Sequence, residues 1–335
     1  DMSLEEKPSG EVYASACAGT SGASFGFGIK ENNFLGNGVG LDSNFLISTS
    51  SFKGKFSVRN PNFNNTDKSI FISAEATEND NYETYGYKTN KTGISIGTDF
   101  EYLNDFYLGI NNSNFYEVIE TNSTASAQQQ AQEGNYWDSF LKFNFNYDKR
   151  NQKFQTSDGF RSFYSLDLPI ISDTNTIKNY YNYSHYFDFF EKNFSSISIY
   201  LQSANSLNNK DIKLSERINI PSSRLRGFEA GRVGPKDGDD FVGGNYAYSI
   251  NFASNIPQLF EESQSIDFLI FADAADIWGV DYNSSIDGEG IRSSIGVALD
   301  WMTPIGPMSF SFAHPITKKD GDVTETFRFN LGTTF

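Results

Sequence analysis

An all-β chain that crosses a membrane as a sixteen-stranded antiparallel barrel is what this sequence predicts, on three observations. Apolar and polar residues alternate with period two through one segment after another. Aromatic residues make up 16% of the chain, with 32 Phe and 18 Tyr, although its mean hydropathy is negative. Connectors alternate between short turns and long loops. In a membrane strand only every second side chain meets lipid, so an average over both faces hides the apolar band. Negative hydropathy is therefore compatible with a barrel wall.

The alternation begins with Val12, Ala14, Ala16 and Ala18 on one face, opposite Tyr13, Ser15, Cys17 and Gly19. Phe25, Phe27 and Ile29 then alternate with Ser24, Gly26 and Gly28, and the short connector ENNFLGNG follows. Further strands are expected at 39–48, 52–59, 69–77, 91–100 and 105–118. The polar, low-complexity run 119–135 is expected to be a solvated loop without a site. Leu141, Phe143, Phe145 and Tyr147 alternate with Lys142, Asn144, Asn146 and Asp148, and strands at 159–168, 179–190 and 195–204 follow. After a long connector, Tyr246, Tyr248, Ile250 and Phe252 oppose Asn245, Ala247, Ser249 and Asn251. The last strands lie at 265–273 and 290–302, with a closing hairpin that pairs Met308, Phe310 and Phe312 with Phe327, Phe329, Leu331 and Phe335.

An even strand number returns both ends to one side of the membrane, as in single-chain outer-membrane barrels. ENNFLGNG and TPIGP fit short periplasmic turns, and 119–135, 205–240 and 274–289 fit long outer loops. The competing fold is a soluble β-sandwich, whose aromatic faces would have to be buried between two sheets.

Composition narrows the function. A net charge of -16 disfavours general nucleic-acid binding, which needs clustered Lys and Arg on phosphates. Cys17 is the single cysteine, so no intrachain disulfide forms. Residues 1–9 contain no basic segment followed by an apolar one, and their polar character is expected of a linker from an upstream domain to a barrel at 10–335. His185 and His314 are far apart and lack neighbours at metal-ligand spacing, and DGDD at 237–240 lacks the ordered spacing and terminal Glu of a calcium loop. No nucleophile, base or phosphate-binding set emerges, so neither an enzyme nor a cofactor is expected.

The stretch RLRGFEAGRVGPKDGDDFVGGNYAY, 224–248, is longer than any hairpin needs. Leu225, Phe228, Val233 and Phe241 give it apolar anchors, so an ordered loop folded back onto the body is expected. Together with FADAADIW, IGVALDWMTPIGPMSFSFAHPI, FRFNLGTTF and the turn YDKRNQKFQTSDGFR, it resembles the barrel of the BamA family, bacterial outer-membrane β-barrel assembly factors. That resemblance implies periplasmic POTRA domains upstream. It also implies unfolded outer-membrane proteins as clients, and accessory lipoproteins and outer-membrane lipids as partners. One position departs from the family pattern Phe-x-Asp-x-Gly: Ala275 follows Phe271 and Asp273 where Gly is expected, which puts the backbone bend there in doubt.

The resemblance further implies that loop 205–240 enters the lumen, with Arg226, Gly227 and Phe228 against an inner wall that includes Asp273. Strand parity separately turns Asp273 inward with Asp267, opposite Ile266, Phe268 and Ile270. A guanidinium suits a carboxylate through two parallel bonds. On the residues alone, Arg226 is equally readable as a solvated loop cation.

A lateral seam is expected where the first strand meets the last. Val12, Ala14, Ala16 and Ala18 are small and bury little area against Phe329, Leu331 and Phe335. An opened seam would offer an unpaired edge to an incoming strand. The resulting expectation is an insertase of β-barrel proteins. The alternatives are a TamA-like or two-partner secretion transporter and a passive porin.

Overall fold

The structure, a computed structural model, describes residues 9–153, 156–257, 265–287, 290–303 and 306–332. Phe335 and all of the expected linker except Ser9 lie outside the described residues.

Sixteen antiparallel strands close into one barrel. The first eight are β1 (Gly10–Gly19), β2 (Gly22–Phe34), β3 (Val39–Ser48), β4 (Ser51–Asn60), β5 (Lys68–Asn81), β6 (Tyr87–Leu103), β7 (Phe106–Thr121) and β8 (Gly134–Asp148). The wall continues through β9 (Gly159–Pro169), β10 (Thr176–Phe187) and β11 (Ser195–Ser206). A small hairpin inside the long loop contributes β12 (Lys236–Asp237) and β13 (Asp240–Phe241). The wall resumes with β14 (Tyr246–Asn255), β15 (Ile266–Trp278), β16 (Arg292–Thr303), β17 (Gly306–Thr317) and β18 (Phe327–Leu331). Each wall strand pairs with its neighbour along the wall, β11 pairs with β14, and β18 returns to β1. In lipid this closure is what satisfies the backbone, since an open edge would have no water to bond.

The period-two pattern sets which face each side chain takes. Phe25, Phe27 and Ile29 are exposed on the outside, while Gly26 and Gly28 between them are buried toward the lumen. Ile94 and Ile96 project outward, and the intervening Ser95 donates to Ser113 Oγ at 2.7 Å. The closing hairpin brings together the two expected sets of residues: Met308 faces Leu331, Phe310 faces Phe329 and Phe312 faces Phe327. Among the described residues no helix is long and apolar enough to cross a membrane.

Two expectations are corrected and one doubt is met. The run 119–135 is a shorter connector than expected and carries structure of its own: β7 continues to Thr121, β8 begins at Gly134, and Ser126 and Gln129 cap a short helix, Ala127–Gln130, reciprocally. Gln129 is buried and donates to the Tyr85 carbonyl at 3.0 Å, so low complexity here supplies amides that satisfy buried backbone. The connector expected at 274–289 begins only after Trp278, because the ladder runs on through Ala275, paired with Ser249 and Arg292 without a register shift. The Ala275 methyl is fully buried, so the strand passes straight where a glycine would have permitted a bend.

The largest buried apolar cluster lies inside the barrel. Ile212, Ile218, Ile220, Leu225, Phe228 and Val233 of the long loop pack on Tyr200, Ala247 and Ile277 of the wall. Burial of this apolar surface orders a segment that carries little regular structure of its own.

Candidate functional site

The seam is where β18 meets β1. β1 pairs with β2 along its full length from Gly10 to Gly19. Among the described residues, β18 pairs with it at Ala18 with Leu331 and Gly19 with Asn330, and Gly332 lies against Ala16 and Cys17. Thr20 N adds one bond to the Phe329 carbonyl at 3.0 Å. Val12, Ala14 and Ala16 project outward, and among the described residues they have no partner in β18. Two glycines permit close approach here: a Cβ on Gly19 would lie 2.5 Å from the Phe329 carbonyl oxygen, and one on Gly332 would lie 2.7 Å from the Ala16 carbonyl oxygen. Small side chains on β1 give this join little cross-strand contact.

Behind the seam lies the loop. Arg226 reaches Asp273 on β15 through Nε to Oδ2 and Nη2 to Oδ1, both at 2.7 Å, and its backbone N–H donates to Oδ2 at 3.1 Å. Asn251 Nδ2 donates to Asp273 Oδ1 and to the Arg224 carbonyl, each at 2.8 Å. The guanidinium carbon lies 3.5 Å from the Phe271 ring centroid. The Asp273 side chain is fully buried, so its charge depends on these donors. Gly227 has φ of 90° and passes so close to Ala313 and Ser294 that a side chain would meet both. Phe228 is buried and bridges to Thr324, while Glu229 N and Glu325 N bond the Val323 and Gly227 carbonyls. The loop thus lies as an extra strand beside the β17–β18 connector.

Sequence reasoning missed the other charged residues of the loop and its walls. Arg328 of β18 turns inward between Phe327 and Phe329 and donates to the carbonyls of Ser222, at 2.9 Å, and Phe228, at 2.7 Å. Its place between outward aromatics was the available signal. Arg292 bonds Asp276 at 2.8 Å and Asp322 at 3.0 Å, and Arg217 pairs with Asp281.

On the opposite wall, Lys213 Nζ lies 2.5 Å from Asp138 Oδ2 of β8 and 2.7 Å from Glu117 Oε2 of β7, with all three side chains buried. Leu214 N donates to Gln132 Oε1, Ser215 Oγ to Glu117, and Tyr87 Oη of β6 to the Leu214 carbonyl. Glu216 accepts from Lys178 of β10 at 3.3 Å and from Thr174 at 3.2 Å. Burial works against the charged form of Lys213, but Glu117, Glu216 and Asp138 outweigh it and hold its pKa above the ordinary lysine value. Burial likewise opposes ionisation of Glu216, and Lys178 and Lys213 prevail, leaving its pKa low.

With that geometry in view, the relatives can be placed. The Omp85 superfamily domain matches residues 33–335. The chain belongs to the Omp85 superfamily. Among curated Omp85-related sequences, outer membrane protein assembly factor BamA of Neisseria meningitidis is 35% identical over 140 residues, which is 33% of this chain and 17% of that protein. BamA of Neorickettsia risticii is 21% identical across 100% of this chain and 46% of its own length. A SAM50-like protein of Schizosaccharomyces pombe is 30% identical over 42% of this chain and 31% of its own. The chain spans less than half the length of these relatives. The structure of Haemophilus ducreyi BamA lacking POTRA domains 1–3 superposes with a TM-score of 0.91 at 25% identity, covering 99% of this chain and 71% of that one. CdiB of Acinetobacter baumannii, at 10% identity and a TM-score of 0.58 over 96% of this chain and 59% of that one, shares the fold.

Proposed function

We propose that this chain is the barrel of a bacterial outer-membrane insertase, which folds and inserts other β-barrel proteins without covalent chemistry. The observation that carries the reading is the seam: β1 is paired to β2 from Gly10 to Gly19 and offers β18 only small side chains, with Ala18 opposite Leu331 and Gly19 opposite Asn330. Opening a join with so little side-chain contact presents a row of N–H and C=O groups on β1. An incoming strand satisfies them by β-augmentation. Folding of the client then supplies the driving free energy, and no nucleotide is needed.

Membership of the Omp85 superfamily and likeness to proteins named as outer membrane protein assembly factors support this reading. Unfolded outer-membrane proteins are the clients it implies, with accessory lipoproteins and membrane lipids as partners and POTRA domains upstream. A lumen crossed by a packed loop fits a passive porin poorly. A TamA-like or two-partner secretion transporter would share the fold but handle particular substrates.

The test is site-specific crosslinking of a stalled client to residues 10–19, read against residues on the lumen wall. Crosslinks along β1 support templating at the seam, and clients found only in the lumen refute it. Depletion should lower outer-membrane protein levels broadly, whereas loss of one substrate alone would favour the transporter.

A further inference from the structure

Lys213 holds the long loop to a wall that the seam does not touch. Its three bonded neighbours, Asp138, Glu117 and, through Leu214, Gln132, belong to β8, β7 and the connector between them. The ammonium also stacks on Tyr136 at 5.0 Å from the ring centroid. From this point to Phe228 the loop is one packed unit, since Ile212, Ile218, Ile220, Leu225 and Phe228 share a buried cluster and Ile218 bridges to Gly244. At its far end, Arg328 of β18 donates to the carbonyls of Ser222 and Phe228. A continuous path of buried contacts therefore runs from β7 and β8, across the lumen, to the inward face of the last strand.

We propose that Lys213, with Asp138 and Glu117, is a positioning latch that makes the loop a strut and holds β18 in place from behind when β1 leaves it. Once β1 leaves, β18 keeps on the wall only its pairing with β17, which among the described residues spans Phe327–Leu331, and it would otherwise follow β1 or fray. With the strut in place, β18 is referenced to the opposite wall, and the gap left at the seam has one fixed side. The latch rests on the insertase reading only in its consequence for clients. The strut itself is a statement about the free protein.

The experiment places spin labels at outward positions of β18 and β8, Phe327→Cys and Phe143→Cys, in a Cys17→Ser background in lipid vesicles. Distances are compared between Lys213 and Lys213→Met proteins. A narrow distribution with Lys213 that broadens in Lys213→Met is expected, and an unchanged distribution overturns the strut. Because Lys213→Met leaves two buried carboxylates uncompensated, a charge-balanced triple variant, Lys213→Met with Glu117→Gln and Asp138→Asn, is measured beside it. Broadening in the triple variant is expected, and a narrow distribution there overturns the strut in the same way. In a parallel client-insertion assay the broadened variants should insert client more slowly than the unsubstituted protein. Insertion at the normal rate by a broadened variant overturns the role in assembly. Absence of insertion by the unsubstituted protein would instead count against the insertase reading, and the distance result stands apart from it.

Discussion

The two ends of the lumen loop solve one problem with different chemistry. At the seam side a guanidinium lies flat on Phe271 and gives two parallel bonds to Asp273, with a fifth of the Arg226 side chain still exposed. On the far wall a point charge, Lys213, is shared by two carboxylates and is almost wholly buried. The fork imposes orientation, while the ammonium accepts any arrangement of acids around it. One anchor sets the pose of the loop against β15, and the other holds it to β7 and β8 across the lumen.

Substitutions should separate them. The largest effect is expected from Lys213→Met, which strands Asp138 and Glu117 and should cost ~3–5 kcal/mol of barrel stability, read by thermal melting in detergent. A loss below about 1 kcal/mol would remove the contrast between the anchors. Arg226→Ala should fall toward the lower end of the same ~3–5 kcal/mol range, because water already reaches the guanidinium. Its amide-exchange signature should be confined to 224–229, leaving 212–217 protected, and loosening of both segments together would show that the loop has one anchor rather than two.

Acidification gives a smaller, directional effect. The Glu216 pKa lies below the ordinary carboxylate value, so its contribution is complete above ~4.3 and is lost as pH falls from there through its depressed value. Lys213, with a raised pKa, contributes fully below ~10.4 and loses that contribution as pH rises through its elevated value. Protection of 212–217, corrected for intrinsic exchange, should be flat around neutrality and decline below about pH 4. The smallest effect is at the seam: Ala18→Val adds a β-branched side chain opposite Leu331 and should strengthen that pair by ~0.2–1 kcal/mol. Client uptake should slow accordingly, and faster uptake would show that the join is not what limits opening.

Alternation, with aromatic content and connector lengths, determined the barrel, its sixteen strands and the residues of the last hairpin, because a period of two is local and survives in any one segment. Parity likewise turned Asp273 inward, and the Arg-Gly-Phe motif named the residue that meets it. What the sequence could not show is where a loop lands. Gln129 stands in a polar run, Lys213 and Asp138 stand beside apolar neighbours, and only closure of the barrel brings positions 75 and 96 residues apart from Lys213 close enough to bury its charge against Asp138 and Glu117. Burial is a property of the folded whole, so a charge's own neighbourhood does not name the partners it will meet inside.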